Sequence, residues 1–140
     1  MVIYSVVKNL IKRISELKKD VVFVGGVSFV HHGIKETSKD IDIVVNDLDG
    51  LYELGEIKEF RTKSPMSKSG NRAYTYVGDI QVDIFIEDEL PEYVEYNGVK
   101  YETIESLINF YKQLITKTDG FEKNRNELKL ELIINKMNKI

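Results

Sequence analysis

The sequence predicts an α+β domain: a mixed sheet flanked by helices, with further helices at the C-terminal end. Three observations carry this. Apolar residues recur at three- and four-residue steps at the start of the chain and again after residue 103, the period of a helix with one buried face. Between these stretches lie short apolar runs bounded by glycine, the pattern of buried strands. Two glycine-containing turns join strand-like segments in the middle of the chain, as in hairpins. At 140 residues the chain has the length of one domain, read as a core over 1–102 and a helical extension over 103–140.

Residues 3–19 are expected to form the first helix. Ile3, Val6, Val7, Leu10, Ile11, Ile14 and Leu17 line one side, and Lys8, Lys12 and Arg13 line the other. The apolar run 21–24 ends at Gly25-Gly26 and reads as a strand covered on both faces. A short helix over 28–32, stopped by Gly33, follows. A second strand spans 40–45. Asp47 is a candidate N-cap for a helix running to about Leu54. Residues 63–71 carry Ser, Lys, Pro and Gly and read as an exposed loop. Strands over 73–77 and 80–86 are joined by Gly78-Asp79, which favours a type II′ turn, and Asn97-Gly98 marks a second hairpin. Thr103 is placed to cap a helix from Ile104 to about Lys117. Asp119-Gly120 separates it from a last helix over 121–137, with Leu128, Leu132, Ile133 and Met137 on one side. Tyr74, Tyr76, Tyr93, Tyr96 and Tyr101 are expected to pack across hairpin strands. His31 and His32 end the short helix, where a positive imidazolium would complement the helix dipole.

Composition narrows the function. Acidic residues number 23 against 20 basic ones, so the net charge of −3 supplies no overall field for non-specific nucleic-acid binding, although a local basic patch is compatible with it. The absence of cysteine excludes disulfides, thiolate metal sites and a cysteine nucleophile. Two histidines are too few for a multi-histidine zinc site. The uncharged stretch 21–34 is shorter than the ~20 residues that span a bilayer, and no signal-peptide pattern opens the chain. These features lead to an expectation of a cytoplasmic protein with no membrane partner.

Chemistry is expected where acids interrupt apolar strands. Asp40 and Asp42 flank Ile41 and precede Ile43-Val44-Val45, and Asp83 interrupts the run from Ile80 to Ile86. Residues i and i+2 of a strand face the same way, roughly 7 Å apart at the backbone. Asp40 and Asp42 therefore project together, and Asp83 joins them if its strand is a neighbour. Grouped carboxylates repel one another and are costly to desolvate, and a hard divalent cation relieves both costs. Upstream, Gly25-Gly26 permit close backbone approach to a phosphate. The Ser28 hydroxyl is a further donor there, and Lys39 stands just before the acids.

A glycine pair after an apolar strand, a short helix and loop, Asp-x-Asp on a strand, and a later Asp on another strand: this arrangement resembles the nucleotidyltransferase superfamily that includes DNA polymerase beta. Gly25, Gly26, Asp40, Asp42 and Asp83 carry the likeness. The chain looks most similar to minimal prokaryotic members related to AbiEii-type toxins, whose Gly-x-x-Arg-x-Thr-x-Asp-x-Asp loop is echoed by residues 33–42. Glu36 stands at the Arg position of that loop and Ser38 at the Thr position. The resemblance implies a nucleotidyltransferase-like fold and transfer of a nucleoside monophosphate from an NTP to an acceptor hydroxyl on a protein, a tRNA or a small molecule. It implies Asp40, Asp42 and Asp83 as ligands of two Mg²⁺ ions, with Mn²⁺ as a substitute, and Gly25, Gly26, Ser28 and Lys39 at the nucleotide. It also leaves open a catalytically silent domain of the same fold that binds a partner protein, as in toxin–antitoxin pairs.

Overall fold

A computed structural model describes residues 4–138. Its mixed α+β architecture agrees with the expectation. The N-terminal helix α1 (Tyr4–Leu17) buries Val7, Leu10, Ile11 and Ile14, the residues its period puts on one side. Ile3, the first residue of the expected helix, lies outside the described residues. Strand β1 (Val22–Val24) leads directly into α2 (Gly25–His31), and β2 (Ile41–Val45) follows after a loop. Then come β3 (Lys58–Arg61), β4 (Asn71–Val77), β5 (Ile80–Ile86), β6 (Tyr93–Tyr96) and β7 (Val99–Glu102), and finally α3 (Ile104–Lys117) and α4 (Gly120–Asn138). The seven strands form one sheet in the order β3-β4-β5-β2-β1-β7-β6.

Strand β2 lies between β1, with which it is antiparallel, and β5, with which it is parallel. Its alternation decides the two faces of the sheet. Ile41, Ile43 and Val45, with Val82 and Ile84 of β5, join the core that α1 covers. The other face carries Asp42 and Asp83. A second apolar cluster, Phe29, Leu107, Tyr111, Leu114 and Ile133, ties α2 to α3 and α4. Both hairpins have the expected turns. Gly78 takes φ +60 between the paired residues Val77 and Ile80, and Asn97 and Gly98 both have positive φ, as a type I′ turn requires. The Thr103 hydroxyl accepts from the Ser106 N–H (3.1 Å) and caps α3 as expected.

Four expectations are corrected. Helix α2 begins at Gly25, so the glycine pair is its first turn rather than a loop before it. No helix runs from Asp47; a single 3₁₀ turn (Tyr52–Leu54) stands there among irregular turns. Asp47 instead accepts from the Asp49 N–H (3.0 Å) and from Lys18 (2.8 Å), and Gly50 at φ +86 breaks any helical run. Leu48, Leu51 and Leu54 are nevertheless buried, which explains their helix-like spacing. In α4 only Ile133 of the expected stripe is buried. Leu128, Leu132 and Met137 are exposed, and the inward side carries Asn126, Leu130 and Ile133. Finally, His31 stacks flat on Tyr101 (3.9 Å between centroids), where burial and then the neighbouring His32 push its pKa below the ordinary value. It is a packing ring held toward neutrality. His32 Nε2 donates to the Glu102 carbonyl (2.7 Å).

Candidate functional site

In the parallel ladder of β2 and β5, Asp42 stands directly opposite Asp83. Register thus converts two acids 41 positions apart in the sequence into side-by-side carboxylates on one face, within hydrogen-bond reach of each other. Gln81, two residues before Asp83 on the same face, donates from Nε2 to Asp83 Oδ1 (2.8 Å) and fixes its orientation. Burial pushes the Asp42 carboxyl up to about 7, with the Asp83 charge adding to the rise and Asp40 contributing less. Asp40 itself lies exposed just before β2. Among the described residues no three acidic or histidine side chains converge closely enough to hold a metal ion. The arrangement is a tight pair with a third acid at its rim.

The glycines adjoin the acids. Gly25 follows Val24, whose register partner on β2 is Asp42. It takes φ +58, and a Cβ there would run into the Asp42 carboxylate. A Cβ on Gly26 would meet the Ser38 hydroxyl. Ser28 is fully buried and donates to the Gly25 carbonyl (2.7 Å), so it braces the glycine turn from behind. Lys39 is exposed, with no hydrogen-bond or ion-pair partner among the described residues.

Two cations gather near the acids from opposite ends of the sequence. Lys129 Nζ lies over the Tyr111 ring (5.7 Å), Lys35 Nζ lies over Phe29 (5.2 Å), and the two rings touch (5.9 Å). Burial, then Lys35 and Arg125, push the Lys129 pKa below its ordinary value, while Asp42 opposes the shift. The half-buried Lys129 ammonium and the exposed Lys35 ammonium near it leave a local positive field beside a negative pair. The sequence pattern of α4, with Glu residues interspersed, gave Lys129 the look of an ordinary solvated residue. A second group that sequence reading missed is Glu102, buried at the end of β7. Its pKa is pushed up to about 7 by burial, against the hydrogen bond that Ser106 Oγ donates to it (2.6 Å).

The chemistry of the donor set fits a divalent cation. Two buried carboxylates that face each other are costly when both are ionised, and a hard cation between them would remove that repulsion. With raised values in the fold and 3.8 and 4.5 when unfolded, Asp42 and Glu102 bind more protons in the native state over the interval between. Metal-free stability is therefore greatest below about pH 4 as far as these groups contribute, and it declines as pH rises toward 8. A loss on the order of 5 kcal/mol is expected from urea unfolding at pH 5 and at pH 8. Stability that stays level or climbs over this range would contradict the burial of both charges.

No protein-family model, curated protein or solved structure matches the chain. Among the described residues no helix is long and apolar enough to cross a membrane.

Proposed function

We propose that the protein is a metal-dependent nucleotidyltransferase. It moves a nucleoside monophosphate from an NTP to an acceptor hydroxyl, releases pyrophosphate, and works in the cytoplasm. The observation that supports this most is the in-register pairing of Asp42 with Asp83 beside the Gly25 turn. Asp42 and Asp83 would hold a divalent ion, with Asp40 completing the set from the rim and a second ion entering with the nucleotide phosphates. Bound Mg²⁺ would supply charge neutralisation at the α-phosphate and the leaving pyrophosphate. Asp83, oriented by Gln81, would help take the acceptor proton. Lys35 and Lys129 offer positive charge for the triphosphate, and the Gly25-Gly26 backbone permits its close approach.

One observation favours the alternative, a silent domain of the same fold that binds a partner protein: among the described residues no three acids converge closely enough to hold a metal ion, and Asp40 is exposed. The two are separated by incubating the protein with each labelled NTP, Mg²⁺ and a cell extract. A transferase labels one acceptor class, protein, tRNA or small molecule, and the label disappears when the metal is chelated. A silent domain labels nothing with any NTP.

A further inference from the structure

The half of the sheet farthest from β6 carries exposed charge and rings beside the acid pair, and Arg72 among them also acts on Asp42. Residues 58–77, which make β3, a loop and β4, contain Lys58, Arg61, Lys63, Lys68 and Arg72 against Glu59 alone. This surplus of four positive charges sits in a chain whose net charge is −3. Lys58, Arg61, Lys63 and Lys68 are exposed. On the face that carries the acids, Lys58 pairs with Tyr74 and Phe60 with Arg72. Phe60, Tyr74 and Tyr76 form a run of rings, each 6.0 Å from the next, with Phe60 and Tyr76 exposed.

Arg72 joins these rings on the same face of the sheet. Its guanidinium lies 4.2 Å from the centroid of Phe85 and 5.6 Å from that of Phe60. Its Nε–H is buried with no hydrogen-bond partner, and a buried unpaired donor on a cation is costly. It opens beside a cavity of about 450 Å³ lined by Glu59, Phe60, Arg61, Asn71, Arg72 and Ile86.

We propose that this face of β3 and β4 is a binding surface for single-stranded nucleic acid. Exposed rings in a row offer π-faces for unpaired bases, and flanking cations follow a phosphate backbone. The interleaving of the two residue types separates this occupant from an acidic peptide, which would use the charges and leave the rings unpaired. Duplex is disfavoured because its bases are already stacked inside. The surface adjoins the acids, but it does not rest on the transfer reaction.

The test is fluorescence anisotropy with a labelled single strand of about 10 nucleotides, without NTP or metal, so that its outcome is separate from that of the transferase assay. Two phosphate contacts, at Lys58 and Arg72, predict that log K falls against log salt with a slope of about −1.4. Tyr76→Ser and Phe60→Ser should each weaken binding roughly tenfold. Lys58→Gln should flatten the slope by about 0.7. Lys12→Gln, on the exposed side of α1, should change nothing. All these side chains are exposed, and unchanged circular dichroism will confirm the fold of each variant. No binding at low salt, equal affinity for duplex, tighter binding of a polyglutamate peptide, or full affinity in Tyr76→Ser and Phe60→Ser would each overturn the proposal.

Discussion

Asp42→Asn should abolish nucleotidyl transfer while leaving the protein at least as stable as the parent at pH 8. The substitution keeps the shape of the side chain but removes the charge that would hold a cation. A rate loss of at least about a thousandfold is expected, or ~4 kcal/mol of transition-state stabilisation. The effect on folding runs the other way. Asp42 is buried against Asp83, and its pKa of about 7 means that its ionised form is disfavoured in the fold. An asparagine amide is neutral at every pH and can donate to the Asp83 carboxylate. Equilibrium unfolding beside the transfer assay will therefore separate lost chemistry from lost structure. Transfer at the parental rate would remove Asp42 from the mechanism, and a large fall in stability would contradict the cost assigned to its charge.

Gly25→Ala is expected to damage both properties. The residue sits at φ +58, where a side chain costs about 1–2 kcal/mol in the backbone alone, and its Cβ would overlap the Asp42 carboxylate. Relief requires Asp42 to turn away from Asp83 or α2 to shift at its first residue. Destabilisation by at least ~1 kcal/mol, with most transfer activity lost, should follow. Gly26→Ala is the informative comparison. Gly26 has no positive φ, and its Cβ would meet the half-buried Ser38 side chain, whose hydroxyl can move at the cost of its hydrogen bond to the Asp40 carbonyl. It should be the milder of the two by unfolding midpoint and by rate. The reverse ranking would mean that the glycine pair serves something other than the Asp42 carboxylate.

What could be read in advance depended on how local the cause was. Asp42 and Asp83 stood out because an acid inside an apolar strand conflicts with its neighbours, and that conflict is visible within seven residues. Thr103 and Asn97-Gly98 were legible for the same reason, since a cap and a tight turn are set by the residues that make them. β3 was not legible. Lys58-Glu59-Phe60-Arg61 has no apolar alternation, all four residues are exposed, and the strand exists because β4 offers it an edge. Asp47 imitated a helix N-cap because its carboxylate does accept from the backbone, but at the Asp49 N–H of a turn that Gly50 carries away from a helix. In α4, Leu128 and Leu132 belong to the helical period as well as Ile133 does, and only docking against α3 decides which side turns inward. The gathering of Lys35 and Lys129 over Phe29 and Tyr111 joins the loop after α2 to α4, and no periodicity within either segment announces it.

The central claim is that two carboxylates brought together by one strand register act as a unit on a metal-bound nucleotide. Isothermal titration of Mg-NTP at about pH 8, above the raised pKa of Asp42, into the parent and into Asp83→Asn reads this directly. The parent should bind with a stoichiometry near one, and Asp83→Asn should bind at least roughly tenfold more weakly, because the facing pair is reduced to Asp42 with only the rim residue Asp40 beside it. Equal affinity in the two proteins, or no binding by the parent, would contradict it.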